Sequence, residues 1–215
     1  MNAPRGRSAP GTAWRSQGLV GLSLGLLIAL LALATPLAAQ GLSATGGGFN
    51  VQRRLFYESS VHEQTGMLVG GSGAVRLGPI RVGMSGVMGT LKGDGSATNP
   101  DVKTRTTALT LQLAVMPGAL IGAQYEVRRF EADAGVTLWK LIGATVRLEP
   151  GLGLAGLRGL LDVSVLPSSE VSGGPKLKMA TQATVGVSFN PARGPFQIRF
   201  GYRFERYDIA ATEFS

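Results

Sequence analysis

The chain has no cysteine, one histidine and few charged residues (16%) among its 215 positions. The absence of cysteine excludes disulfide bonds, thiolate metal sites, cysteine nucleophiles and a lipid-modified cysteine. Beyond residue 39 there is no long uninterrupted apolar run, which excludes membrane-spanning helices in that part of the chain. The sequence therefore contains few of the residues on which catalytic and metal sites are commonly built.

The first 39 residues have the order of a secretory signal peptide. Three arginines, at positions 5, 7 and 15, precede the uncharged run LVGLSLGLLIALLALA at residues 19–34, and small residues follow it. A basic segment, an apolar segment and small residues are the parts of such a signal, and we predict cleavage after Ala39. The alternative is an uncleaved helical anchor, because the apolar run approaches the length that spans a bilayer.

Cleavage at this position leaves 176 residues and lowers the formal net charge from +8 to +5. This length suits one domain. The remaining basic residues occur singly, whereas a nucleic-acid surface needs them clustered, so we expect no nucleic-acid partner. We interpret the charge as solubilising, with attraction to anionic lipid head groups as the alternative.

Beyond residue 48 the chain alternates between apolar and polar residues, which predicts β-strands and no helix. In LKMATQATVGVSF, for example, Leu177, Met179 and Val185 share one face, and Lys178 and Thr184 share the other. The Gly-rich residues 40–48 are expected to form a flexible leader. The nine predicted strands are residues 49–58, 67–77, 80–92, 102–116, 120–131, 136–148, 152–165 (with a bulge near 155–156), 176–190 and 196–209.

The connections between these strands alternate in length. Short connections carry turn residues, and longer polar connections lie between them. In an antiparallel sheet all short turns then fall at one end and all long loops at the other, which is typical of outer-membrane barrels. The predicted short turns are residues 78–79, 117–118, 149–151 and 190–195, and the predicted long loops are residues 59–66, 93–101, 131–135 and 166–175.

The polar face of these strands contains mainly Gly, Ser, Thr, Ala and Gln with an occasional charge. Small polar side chains with paired charges suit a narrow barrel interior better than a water-exposed face. Aromatic residues near strand ends suit the girdles at membrane interfaces. The predicted lumen-facing charges are Arg54, Arg81, Arg105, Glu126, Arg128, Asp162, Arg199, Arg203 and Glu205. The predicted girdle residues are Phe49, Phe56, Tyr57, Phe130, Trp139, Phe189, Phe196 and Tyr207.

Taken together, this pattern over residues 49–209 resembles the small outer-membrane β-barrel proteins of Gram-negative bacteria. The resemblance implies an all-β fold, an antiparallel up-and-down transmembrane β-barrel of 8 to 10 strands in residues 49–215. It also implies contact with outer-membrane lipid and lipopolysaccharide, and with the secretion translocon and barrel-assembly machinery during biogenesis. Because bacterial barrels have even strand numbers, we expect a tenth, closing strand that is short or missing, with eight strands as the alternative.

The only histidine, His62, lies beside Ser59, Ser60 and Glu63. Such a set supports acyl transfer where geometry aligns it, and some barrels of the resembling class are lipid A acyltransferases that use loop His and Ser residues. Since these residue types are ordinary in polar loops, we expect no enzymatic activity.

The expected function is therefore a structural, surface-contact or narrow, porin-like passive-passage role in the outer membrane, without a metal or cofactor. Two alternatives stay open. The first is a soluble periplasmic barrel that binds an apolar ligand in the manner of lipocalins, and the second is a lipid-acylating barrel enzyme that depends on His62.

Overall fold

Residues 41–57, 60–96, 98–133, 135–172, 177–190 and 195–210 are described by the computed structural model, and they contain a closed β-barrel. The predicted signal peptide (1–39) and the last five residues (211–215) lie outside the described residues. The strands are β1 Leu42–Phe56, β2 Val61–Leu77, β3 Ile80–Lys92, β4 Val102–Met116, β5 Ala119–Ala132, β6 Gly135–Leu148, β7 Leu157–Ser172, β8 Leu177–Phe189 and β9 Phe196–Ile209.

The barrel closes through a parallel pair. Each strand pairs antiparallel with the next along the chain, and β9 pairs parallel with β1 from Ala44↔Phe196 to Phe56↔Asp208. The predicted fold class is confirmed, but the expectation of an even strand number was wrong. A parallel ladder also satisfies the backbone groups of both edge strands, so the barrel needs no tenth strand.

The Gly-rich segment before residue 49 is part of β1 and not a leader. β1 begins at Leu42, and Gly46–Gly48 pair with β2 on one side and with β9 on the other. The prediction failed because it relied on alternating large side chains. In this segment the pairing with β2 and β9 depends on backbone hydrogen bonds, which glycines form without a side chain.

The loop lengths differ from the prediction. Two-residue turns do connect β2 to β3 and β4 to β5, where Gly78 and Gly118 have φ of +61° and +79°, values that favour glycine. However, β2 begins at Val61, β6 begins at Gly135 and β7 continues to Ser172, so much of the predicted long loops is strand. These segments form strand ends whose outer faces are charged. They were predicted as loops because a polar sequence is also typical of loops.

The connection from β6 to β7 is longer than predicted. It covers residues 149–156, where a turn with Gly153 and Gly156, both at φ +77°, replaces the predicted bulge. We call the end of the barrel with the connections 78–79, 117–118, 149–156 and 190–195 the turn end, and the opposite end the loop end.

The two faces of the barrel wall differ in polarity. Most strands expose large apolar side chains on the outer face, including Leu111 at 56% and Phe200 at 57% exposure, while polar and charged side chains are buried inside. Soluble barrels place these classes the other way around, with the apolar face on the core. The described part of the chain contains no helix long and apolar enough to cross a membrane.

The outer face becomes charged toward the loop end. Exposed ion pairs join neighbouring residues there, with distances between nitrogen and oxygen of 2.5–3.0 Å. The strands are 13–17 residues long, and their loop-end residues extend beyond the apolar part of the outer face. The pairs are Arg54–Glu63, Arg129–Glu131 and Lys140–Glu170.

Candidate functional site in the barrel lumen

The interior of the barrel contains three groups of side chains. A central network of buried ion pairs lies between a turn-end cluster of arginines and carboxylates and an apolar plug at the loop end. Because side chains alternate along each strand, Arg128 and Phe130 on β5, and Glu205 and Tyr207 on β9, extend into the lumen and contribute to neighbouring groups.

Glu205 is the centre of the central network. Its carboxylate accepts hydrogen bonds from Arg53 Nε (3.0 Å) and the Tyr207 hydroxyl (3.1 Å), and it lies 3.3 Å from Arg128 Nη1. Arg128 also pairs with Glu126. The four ionic side chains are at most 2% exposed, so each charge depends on its partners in place of water.

Amide and hydroxyl side chains complete this network. Glu126 Oε2 accepts hydrogen bonds from Gln124 Nε2 (2.6 Å) and Gln182 Nε2 (3.2 Å), and Arg128 Nη2 donates to Gln182 Oε1 (2.8 Å). Ser164 donates to the Gln124 side-chain oxygen at 3.2 Å. The network therefore connects β1, β5, β7, β8 and β9 across the lumen.

The turn-end cluster is built on Glu149 and Asp162. Arg199 Nη2 donates to Glu149 Oε1 at 2.8 Å, and Arg81 Nη1 lies 3.8 Å from the same oxygen. Asp162 accepts from Arg147 Nε at 2.6 Å and from the Thr145 hydroxyl at 3.2 Å. Three arginines here face two carboxylates.

The apolar plug fills the loop-end half of the lumen. Leu141, Leu166 and Tyr207 are fully buried in it, and Trp139 packs against Tyr207 with 4.9 Å between ring centroids. Large side chains in contact pack here at the density of a protein interior, with few voids larger than a water molecule. The remaining members are Val102, Phe130, Leu177, Ala180 and Ile209.

A cavity of about 100 Å³ lies between the central network and the turn end. Small residues of β1–β3, such as Gly47, Gly70 and Ser72, line part of it, and Arg81, Arg147, Arg199 and Arg203 line other parts. By the same measure, about 10–15 Å³ holds one water molecule, so the cavity has room for several.

Most of the predicted lumen charges lie inside the barrel. Arg54 and Arg105, however, lie on the outer face, where Arg54 pairs with Glu63 at 3.0 Å. Arg53 occupies the lumen in place of Arg54 because β1 directs its apolar residues inward, and a one-residue shift of phase exchanges the two faces. Those inside are Arg81, Glu126, Arg128, Asp162, Arg199, Arg203 and Glu205.

The predicted aromatic girdle was wrong for at least four of its members. Phe130, Trp139 and Tyr207 are buried in the apolar plug, and Phe49 packs inside against a second apolar cluster of Val51, Leu68 and Leu91.

These aromatic rings contact lumen arginines. The guanidinium carbon of Arg53 lies 4.6 Å from the Phe130 centroid, and that of Arg203 lies 5.2 Å from the Phe49 centroid. Such stacking favours a desolvated cation. The other predicted girdle residues divide as follows: Tyr57 is partly buried against the plug, Phe56 stacks under Arg206, and Phe189 and Phe196 are exposed near the turn end.

His62 does not meet Glu63. Ser60 Oγ lies 3.2 Å from His62 Nε2, and the Tyr57 ring packs edge-on to the imidazole at 5.3 Å. The Glu63 carboxylate lies on the other face of β2, where it accepts from Gln52 (2.7 Å) and Arg54 (3.0 Å). Ser59 lies outside the described residues. The predicted acidic member of a Ser/His/acid set is therefore occupied elsewhere.

The loop at 93–101 is organised by its own polar groups. Asp94 Oδ1 accepts from the Ser96 backbone N–H at 2.9 Å, and Asp101 Oδ1 accepts from the Gly93 N–H at 3.1 Å. Hydrogen bonds from Ser96 hold the pKa of Asp94 below its usual value. Within the described ranges, no group of three or more His, Asp or Glu side chains lies close enough to hold a metal ion.

Several lumen residues were not among the sequence predictions, notably Arg53, Arg147, Glu149, Gln124 and Gln182. The sequence contained a signal for two of them, because residues two apart in a strand point to the same face. Gln124 is in phase with Glu126 and Arg128 on β5, and Arg147 is in phase with Thr145 on β6. Glu149 lies in a turn, where alternation gives no guidance. Comparisons with protein-family models, with curated protein sequences and with solved structures gave no match to this chain.

Proposed function

We propose that this chain is a small β-barrel protein of the Gram-negative outer membrane, with a structural or surface-contact role and no catalytic activity. The observation that supports this proposal is the polarity of the barrel wall, with aliphatic and aromatic side chains outside and ion pairs inside. Lipid is the solvent that such an outer surface fits. The exposed ion pairs on the outer face at the loop end then lie at the level of the head groups and lipopolysaccharide.

The filled lumen supports a structural role over passive passage. The fully buried residues of the apolar plug and the central network occupy the loop-end half and the middle of the barrel. Barrels of about eight strands have an interior that side chains just fill, and nine strands add little room. The role that remains is exerted by the outer surface and the loops.

A soluble lipocalin-like barrel is the competing function. That function needs an internal cup lined mainly by apolar side chains. Here the cavity wall combines apolar side chains such as Phe49, Met84 and Leu160 with four arginines and two carboxylates, and the large apolar side chains near the loop end are packed against one another. An apolar ligand in this cavity would also bury arginines and carboxylates, and this cost disfavours the lipocalin-like function.

Cell fractionation followed by electrophoresis with and without boiling tests the proposal. We expect the protein in the outer-membrane fraction, with a band that changes mobility only after boiling, because a closed barrel in detergent resists unfolding. Recovery from the soluble periplasm without detergent, with one mobility under both conditions, would refute the membrane proposal and favour the soluble barrel.

Replacing Leu111 by arginine provides a second test. Leu111 is 56% exposed on the outer face of β4, midway along its apolar row. In a bilayer an arginine at this depth costs about 2–4 kcal/mol, so we expect L111R to reduce the folded, heat-modifiable fraction strongly. In a soluble barrel the same change affects an exposed surface position and costs at most about 0.5 kcal/mol.

Thr107→Arg is the matched control for this substitution. Thr107 lies on the same outer face of β4, four residues nearer the loop end. Near an interface the cost of a charge falls to about 0–1 kcal/mol, so T107R is expected to fold almost normally. Equal folding of L111R and T107R contradicts insertion of this face in lipid.

A further inference from the structure

The lumen contains more positive than negative charge. Among the described residues that face the interior, Arg53, Arg81, Arg128, Arg147, Arg199 and Arg203 accompany only Glu126, Glu149, Asp162 and Glu205. Arginine keeps its proton in proteins, so this excess is not removed by titration of the cations. A buried charge without a partner is costly, and a mobile anion is the simplest source of compensation.

The excess is concentrated at the cavity. Arg81, Arg147, Arg199 and Arg203 all line it, whereas Glu126 and Asp162 are its only carboxylates among the described residues. The partners of the first three are already assigned: Arg147 pairs with Asp162, and Arg81 and Arg199 share one oxygen of Glu149. Arg203 remains.

Arg203 is the arginine best placed to bind a ligand. Within the described residues no carboxylate lies within 4 Å of it; its Nε donates to the Thr184 hydroxyl at 3.2 Å, and its guanidinium carbon lies over Phe49. These contacts fix the plane of the guanidinium and leave both terminal nitrogens without a hydrogen-bond partner in this part of the chain. A planar group held in this way presents two parallel donors to an oxyanion.

Arg199 lies in the wall of the same cavity, and its charge adds to that of Arg203. The Arg199 side chain is only 7% exposed, and its Nε has no hydrogen-bond partner among the described residues, although its Nη2 is bound to Glu149 and Gln197. Because the Nε atom is itself enclosed, Arg199 contributes its positive charge to the cavity wall and not a donor to a ligand.

The remaining wall provides space and access. Gly47, Gly70, Gly71, Ser72 and Gly83 contribute almost no side-chain volume, and the cavity is not fully enclosed. Its volume of about 100 Å³ exceeds what one water molecule needs several times over.

We infer that this cavity is a binding site for a small oxyanion of the phosphate or sulfate type. Arg203 supplies the two-pronged contact, the charge of Arg199 adds to the positive potential of the wall, and the glycines of β1–β3 leave the room. The inference goes beyond the proposed function and does not depend on it, because a soluble barrel with the same lumen would bind the same anion.

Calorimetric titration of the folded barrel with inorganic phosphate tests this site, at constant ionic strength set with chloride. We expect saturable binding at one site per chain, with sulfate competing. Charge-assisted hydrogen bonds contribute about twice as much as neutral ones, so Arg203→Gln is expected to weaken phosphate binding about tenfold or more. Arg105→Gln is the matched control, because Arg105 is exposed on the outer face of β4, and it should leave the affinity unchanged.

Thermal unfolding of the wild-type protein gives a measurement that does not depend on whether R203Q folds. Phosphate is expected to raise the unfolding temperature above that in chloride of equal ionic strength, because a ligand that binds only the folded state stabilises it. Absence of both saturable binding and a phosphate-specific shift overturns the inference, and so does equal binding by R203Q and wild type. Equal weakening of phosphate binding in R105Q and R203Q indicates adventitious binding to surface charge. That result also overturns the inference.

Discussion

Replacing Gly47 by alanine is expected to prevent the barrel from closing, with a loss of about 3 kcal/mol or more of folding free energy. Gly47 lies in β1 at the parallel seam, paired with Arg199 of β9. A methyl group on its α-carbon would meet the backbone carbonyl of Arg199, and backbone that is held in a ladder on both sides has little freedom to move away. Urea unfolding, followed by the shift of electrophoretic mobility on boiling, measures the effect.

Gly46→Ala is the control, one residue away in the same strand and on the opposite face. No atom lies within 4 Å of the position where its methyl group would be, so G46A is expected to change stability by at most about 0.5 kcal/mol. If G47A folds as well as G46A, the strands at the seam are not as close as β1 and β9 are here, and the parallel closure is wrong.

Glu205→Gln is expected to cost about 3–5 kcal/mol, because the substitution removes one partner of a buried ionic network. Arg53 and Arg128 would both lose the carboxylate that they share, and each is at most 2% exposed. The glutamine has nearly the same shape, so the loss reflects charge and not packing. Denaturant unfolding of the folded barrel gives the magnitude.

Glu170→Gln is the matched control for this substitution. Glu170 also forms an ion pair, with Lys140 at 2.5 Å, but on the exposed outer face of the loop end. Exposed pairs contribute little because water and salt screen them, so E170Q should unfold as the wild type does. A small effect of E205Q, similar to that of E170Q, means that the lumen is hydrated and that the network is not buried as described.

These two substitutions bear on different levels of the structure. G47A tests whether β1 and β9 pair and close the barrel. E205Q tests whether a buried ionic network fills the interior. Both substitutions also affect the proposed anion site. Gly47 forms part of the cavity wall, and Glu205 pairs with the arginines of the central network that borders the cavity.

The strand content of this protein followed from the sequence because alternation is a local property. β3, β4 and β9 were predicted with their observed bounds, since each has apolar residues at every second position and ends at a turn. The outer orientation of Leu111 and Phe200, and the inner orientation of Arg199 and Glu205, follow from the same alternation once the barrel is known to be inside-out.

Properties that depend on distant parts of the chain did not follow. The parallel closure joins residues some 150 positions apart, and no local pattern encodes it. For the same reason the phase of β1 was misjudged: its neighbours β2 and β9 decide whether Arg53 or Arg54 faces the lumen. The stacking of Phe130 and Phe49 on arginines also depends on which strands lie opposite each other across the interior.

The sequence by itself therefore determined that this protein is an all-β chain with one apolar and one sparsely charged face on most strands. Only the tertiary structure decided the number of strands that close the ring, which arginines are paired, and that Arg203 is left to face a cavity. The physical reason is that alternation is set by neighbouring residues, whereas closure, burial and charge balance are set by residues that meet only after folding.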